Sequence, residues 1–166
     1  MLKGQDLVVL AALLDSQRGD ESYAELGRRV CISASEAHAA VKRLRESSLI
    51  MANWHVLKHN TLEFLFHGLR YAFPAVHEGI FAKGMPTSYA APVADGVFAV
   101  SGEIPVWQTS CGDTCGRAIL PLYPTVPDAA SKDRGLYDRL AVFDMLRAGR
   151  LRERQFAEQK LMEMLQ

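Results

Sequence analysis

No apolar run in the 166 residues reaches the ~18 to 20 positions needed to span a bilayer. The stretch from Leu7 to Leu14 is near signal-peptide length, but no small-residue cleavage site comes after it. The next residues, Asp15-Ser-Gln-Arg-Gly-Asp-Glu21, read as a polar loop, so a cytoplasmic protein is expected. Cysteine is scarce and odd in number. Cys31, Cys111 and Cys115 do not make the framework of a secreted disulfide-stapled domain. There is no net charge, because 19 basic residues balance 19 acidic ones. A strong general attraction to polyanions is thereby excluded, and any nucleic-acid partner must be met by a local basic face. Internal repeats and low-complexity tracts are also missing.

Catalytic signatures are equally thin. No Gly-x-Ser-x-Gly elbow occurs. Gly102-Glu-Ile-Pro and Gly112-Asp-Thr-Cys-Gly116 lack the lysine of a phosphate loop. Asp128, Asp133, Asp138 and Asp144 are scattered rather than paired. His55 and His59 have the i, i+4 spacing of one helix face, without the glutamate of a zincin. Cys111 and Cys115 offer two thiols where a closed zinc site needs four ligands, so they read as a disulfide or as free thiols. No enzyme, cofactor or metal is expected.

Against these absences stand 49% hydrophobic and 23% charged residues, enough to build a core. Residues 3–14 have Leu7, Leu10, Ala11 and Leu14 at helical spacing. Ser22-Tyr-Ala-Glu25 is a capping box, in which hydroxyl and carboxylate each satisfy a free amide at a helix start. Tyr23, Leu26 and Val30 form the inward side of that helix. Ser33-Ala-Ser-Glu36 is a second box eleven residues on and opens a longer helix to Ser47, with Ala37, Val41 and Leu44 inward. Two boxes at this spacing leave room for one short helix and a tight turn, which predicts a helix-turn-helix. Leu49–Met51 and Trp54–Leu57 read as two very short strands around Ala52-Asn53. A helix over 60–73, capped by Asn60 or Thr61, stops at Pro74.

Residues 75–131 are dense in proline and glycine, with short strand-like pieces such as Gly96–Val100 and Ile104–Trp107 that leave room for a hairpin. They are expected to be ordered but irregular. Leu136, Leu140, Phe143 and Leu146 then mark one helix, and a last one runs over about 150–165. Between these two, Arg147, Arg150, Arg152 and Arg154 form the densest basic cluster in the sequence.

The segment from Tyr23 to Ile50, with "AELGRRV", "SASE" and "AVKRLRESSLI", resembles the winged helix-turn-helix of bacterial regulators of the MarR type. That family often carries a glycine before the final Leu-Ile, where this chain has Ser48. The likeness covers about the first sixty residues. The remainder, including "GLRYAFPA", departs from that family's dimerisation helices and resembles bacterial proteins of unassigned role. The resemblance implies a DNA-binding regulator.

The residues carry that implication on their own chemistry. On the helix from Ser33, the outward positions are Ser35, Glu36, His38, Ala39, Lys42, Arg43 and Arg45. Ser35, Glu36, His38 and Ala39 occupy the first turns, from which side chains reach base edges. Ala39 is small enough for close approach and for contact with a thymine methyl. Lys42 and Arg43 come next, at the height of phosphates or a guanine edge. Ser22 and Ser33 stand at helix starts, where free amides favour a phosphate oxygen. Trp54, His55 and Lys58 are placed by the wing against the backbone or minor groove.

The expected architecture is mainly α with a small β wing. Residues 1–74 form a winged helix-turn-helix domain with a following helix. Residues 75–166 form an irregular middle and a C-terminal helical pair for oligomerisation or partner binding. The expected function is a sequence-specific regulator that binds double-stranded DNA as a homodimer, since two-fold symmetry doubles the base pairs one helix reads. The alternative is a winged-helix adaptor, or an antitoxin-like module that grips another protein through 75–166.

Overall fold

The computed structural model describes residues 1–15, 21–99 and 102–165. The chain is mainly helical, with one small three-stranded sheet. Its first three helices are α1 (Gly4–Leu13), α2 (Tyr23–Arg29) and α3 (Ala34–Glu46). Both predicted capping boxes form. The Ser22 amide donates to the Glu25 carboxylate at 2.8 Å, and the Ser33 amide donates to Glu36 at 2.8 Å. In return, each serine hydroxyl accepts from the backbone N–H three residues on.

The ends of α2 and α3 are also alike. The Ile32 amide donates to the Gly27 carbonyl at 2.9 Å, and the Leu49 amide to the Leu44 carbonyl at 3.0 Å. Such a closing turn needs one residue in the left-handed region. Here Cys31 (φ 58°) and Ser48 (φ 54°) take it. The position where the resembled family favours glycine is thus a backbone requirement that Ser48 meets at some strain.

The two short strands expected after α3 are reduced to one bridge, Ile50 with Val56. It is braced by the Met51 amide on the His55 carbonyl and the Leu57 amide on the Leu49 carbonyl. The next helix starts at Lys58, two residues earlier than expected. It runs as α4 (Lys58–Glu63), a π turn (Phe64–Gly68) and α5 (Leu69–Ala72). Asn60 and Thr61 do not cap it. Their side chains donate instead to the Ser48 and Leu49 carbonyls, tying α4 to the end of α3.

The middle segment is more regular than its composition predicts. β1 (His77–Pro86) pairs antiparallel with both β2 (Pro105–Gln108) and β3 (Thr114–Ile119), which pair parallel with each other. Of the two strand-like pieces, only that near Ile104–Trp107 is a strand. The described part of Gly96–Val100 is not. The glycines that argued against strands are what lets these three pack so closely. A Cβ on Gly84 would lie 2.0 Å from the Trp107 carbonyl oxygen. Two 3₁₀ turns, Ser88–Ala90 and Pro92–Ala94, come after β1.

α6 (Val126–Lys132), α7 (Arg134–Ala148) and α8 (Leu151–Met164) complete the chain. α7 is the central rod. It packs against α1, α5, α6, α8 and both 3₁₀ turns, so Leu136, Leu140, Phe143 and Met145 are all buried. The buried apolar side chains of α1, α3, α7 and α8 belong to one continuous cluster. α7 also carries charge inward. Asp144, fully buried, accepts from Thr87 Oγ1 (2.8 Å), Trp107 Nε1 (2.7 Å) and Arg147 (2.8 Å). Arg147 donates further to the Phe73 and Pro74 carbonyls. Burial pushes the Asp144 carboxyl above its ordinary range despite these partners. No helix among the described residues is long and apolar enough to cross a membrane.

Candidate functional site

α3 buries Ala37, Ala40, Val41 and Leu44 and turns its opposite face to solvent. That face is uncovered along most of its length. Ser35, His38, Lys42, Arg45 and Glu46 are exposed, and Ala39 is half-buried. Beside it lies a cleft of about 530 Å³, lined by Tyr23, His38, Lys42, Arg45, Glu46, Ile50 and Ala52. α2, α3 and the Ile50–Val56 bridge therefore share one concave surface. Tyr23 is its aromatic floor. The His38 ring meets it edge-on at 4.9 Å, and the Trp54 ring lies 4.6 Å away on the same tyrosine.

The expected contact residues divide into two groups. Ser35, His38, Ala39, Lys42 and His55 are open to a partner, although Lys42 sits 4.0 Å from Glu46 in an exposed pair. Of the others, Ser22, Ser33, Glu36, Arg43 and Lys58 have polar groups engaged within the chain, and Trp54 packs on Tyr23. Arg43 is the main correction. It does not face solvent as a groove-reading residue, because its Nε (2.8 Å) and one terminal nitrogen (2.6 Å) hold the two carboxylate oxygens of Asp6 on α1. Its side chain is 17% exposed and that of Asp6 is fully buried. Burying a carboxylate is costly without such a partner, and Asp6 lies 37 residues away in sequence, out of reach of local spacing rules.

Ser22 and Ser33 are exposed, but their hydroxyls donate to Glu25 and Glu36 at 2.7 Å. A carboxylate thus already stands where a phosphate was expected at each helix start. Glu36 is further engaged by the Tyr123 hydroxyl at 3.4 Å. Hydrogen bonds from Ser33, side chain before backbone, hold the Glu36 carboxyl below its ordinary range. Trp54 is half-buried against Tyr23, and the Lys58 ammonium donates to the Leu165 carbonyl at the end of α8.

No protein-family model, curated protein or solved structure matches this chain. The site stands on its own geometry.

Arg45 gains importance beside the expected set. It is exposed, lines the cleft next to Lys42, and lies within two turns of His38. Its outward position was readable from the helical pattern. Tyr23, expected inside, is half-buried at the cleft floor. Away from α3, Cys111 and Cys115 are exposed free thiols. The arginine cluster near α8 is smaller than its sequence suggests, because Arg147 is spent on Asp144 while Arg150 and Arg152 stay exposed.

Proposed function

We propose that this chain is a sequence-specific regulator of the winged helix-turn-helix type, which binds double-stranded DNA through the exposed face of α3 and acts as a homodimer. The supporting observation is the uncovered outer surface of α3, where Ser35, His38, Ala39, Lys42 and Arg45 succeed one another along the helix. A helix that enters the major groove needs this division between a packed side and a free polar side. In this reading Ser35, His38 and Ala39 approach base edges from the first turns. Lys42 and Arg45 meet phosphates or a guanine edge. His55 on the short wing touches the flanking backbone.

The test is selection of bound duplexes from a random pool with the full chain. Enrichment of one motif, lost in a Lys42→Ala/Arg45→Ala variant that melts normally, is the expected result. An unenriched pool sinks the proposal.

A second reading has its own support. Glu36 and Glu46 lie on or beside the same face and weaken its positive field, and the chain as a whole is neutral. These features suit a winged-helix adaptor whose α3 cleft receives a protein side chain. Co-purification with one fixed partner, together with no retardation of DNA, favours that role.

A further inference from the structure

A small cavity of about 130 Å³ is walled by all three strands, by the 3₁₀ turn Ser88–Ala90, and by the end of α7 and the start of α8. It shares no residue with the α3 cleft. A cavity of about 150 Å³ accommodates one benzene, so this one takes a molecule of about six non-hydrogen atoms. Pro105, Ile119 and Ala148 give it an apolar wall. Ser88, Tyr89, Glu103, Arg117 and Glu153 bring polar groups to it, beside an exposed His77.

Ser88 is strained and buried at once. Its backbone is left-handed at φ 52°, where a side chain is disfavoured. The preceding residue is clamped, with the Thr87 amide on the Pro105 carbonyl at 2.9 Å and its hydroxyl on Asp144 at 2.8 Å, so the surrounding structure holds that strain in place. Ser88 is 2% exposed, yet its hydroxyl has no hydrogen-bond partner among the described residues. Buried hydroxyls are ordinarily bonded, and the cavity that Ser88 lines is where a partner fits. The Tyr89 hydroxyl also lacks a partner among the described residues. Burial, and then the charge of Glu153, pushes it above its ordinary range, with Arg150 opposing.

The charges select the ligand. Arg117 is committed to Glu103: its Nε donates at 2.6 Å, and a terminal nitrogen joins the same carboxylate oxygen. Glu153 gives one oxygen to the Arg150 amide at 2.8 Å, capping α8, and its other oxygen has no hydrogen-bond partner among the described residues. Arg150 itself is exposed and does not line the cavity. With histidine counted neutral, the lining holds two carboxylates against one guanidinium, so Glu153 is the uncompensated charge. An anion would meet that carboxylate with no uncommitted arginine or lysine in the lining. An ammonium brings three N–H donors, and the Glu153 oxygen and the Tyr89 and Ser88 hydroxyls are three unoccupied acceptors. We infer that this cavity binds a small primary amine, with its ammonium on Glu153, Tyr89 and Ser88 and its short carbon chain against Pro105, Ile119 and Ala148.

This site goes beyond the reading of α3 and does not depend on it. The experiment is titration of the isotope-labelled full chain with n-butylamine, followed by amide NMR shifts, beside n-butanol and butanoate as the neutral and anionic counterparts. Saturable shifts at Ser88, Tyr89 and Glu153 are expected with butylamine, and binding weaker by about tenfold with the other two. Glu153→Gln keeps an acceptor for the α8 cap while removing the charge. It is expected to raise the Kd for butylamine by about tenfold with an unchanged melting curve. Ser88→Ala is expected to weaken binding as well, and Tyr89→Phe replaces it as the test should the alanine chain fail to fold. Absence of saturable shifts at these amides overturns the inference. So does butanoate binding more tightly than butylamine, or butylamine affinity that is indifferent to Glu153→Gln.

Discussion

Arg43 grips Asp6 with two nitrogens, at 2.8 and 2.6 Å, and so fastens α3 to the start of α1. Asp6 also accepts the Lys3 amide at 2.8 Å, capping α1 with the same carboxylate. One fully buried side chain thus serves a helix start and an interhelical pair.

Removing the arginine leaves that carboxylate buried without its cation. Arg43→Ala is expected to lower the free energy of unfolding by about 3 kcal/mol, read by urea denaturation. A loss below about 0.5 kcal/mol, the range of ordinary surface substitutions, shows that the pair holds nothing. Weak DNA retention by this variant therefore reports on folding and not on base contact.

Arg45 differs from Arg43 by two positions and by its whole environment. Arg45→Ala is expected to leave the melting temperature unchanged and to reduce the slope of log affinity against log salt by about 0.9, one phosphate contact. The measurement is fluorescence anisotropy on a selected duplex over a salt series. An unaltered slope places Arg45 off the backbone.

Ser48 occupies a left-handed backbone position at φ 54° that glycine adopts without strain. Ser48→Gly is expected to stabilise the chain by about 1 kcal/mol, measured by denaturant unfolding. Destabilisation shows that the hydroxyl makes a contribution larger than the strain.

Tyr137 is pushed by burial from 10.0 to about 12, and its hydroxyl donates to the Pro86 carbonyl at 2.5 Å. A tyrosine whose folded value is raised adds stability that is complete below its unfolded value and lost as pH climbs through the folded one. The loss falls in the window between pH 10 and about 12. Absorbance titration of tyrosinate is expected to show one late step that Tyr137→Phe removes. An unaltered titration in that variant refutes the assignment.

The parts of this structure governed by near neighbours were legible from residue order. Ser22 with Glu25 and Ser33 with Glu36 cap as their spacing predicts, because both partners sit within one turn. The inward face of α3 was readable from helical periodicity for the same reason. The parts that depend on distant partners were not legible. Nothing around Arg43 points to Asp6, and nothing around Lys58 points to the Leu165 carbonyl. β1 and β3 were hidden by their glycines, which read locally as breakers. Gly84 is in the strand because the Trp107 backbone passes too close for any side chain, a fact of tertiary packing.

Both halves of the chain lean on α7. Its flank shields α1, while Asp133 at its cap receives Arg29 of α2 at 2.8 Å. Cutting the polypeptide after Pro74 would strip that shield and leave the Arg29 guanidinium short of an acceptor. The amino-terminal helices are therefore expected to depend on residues 126–165 for their packing. Grafted onto another protein without residues 126–165, they are expected to aggregate, and protease digestion of the intact chain should yield no durable fragment corresponding to them.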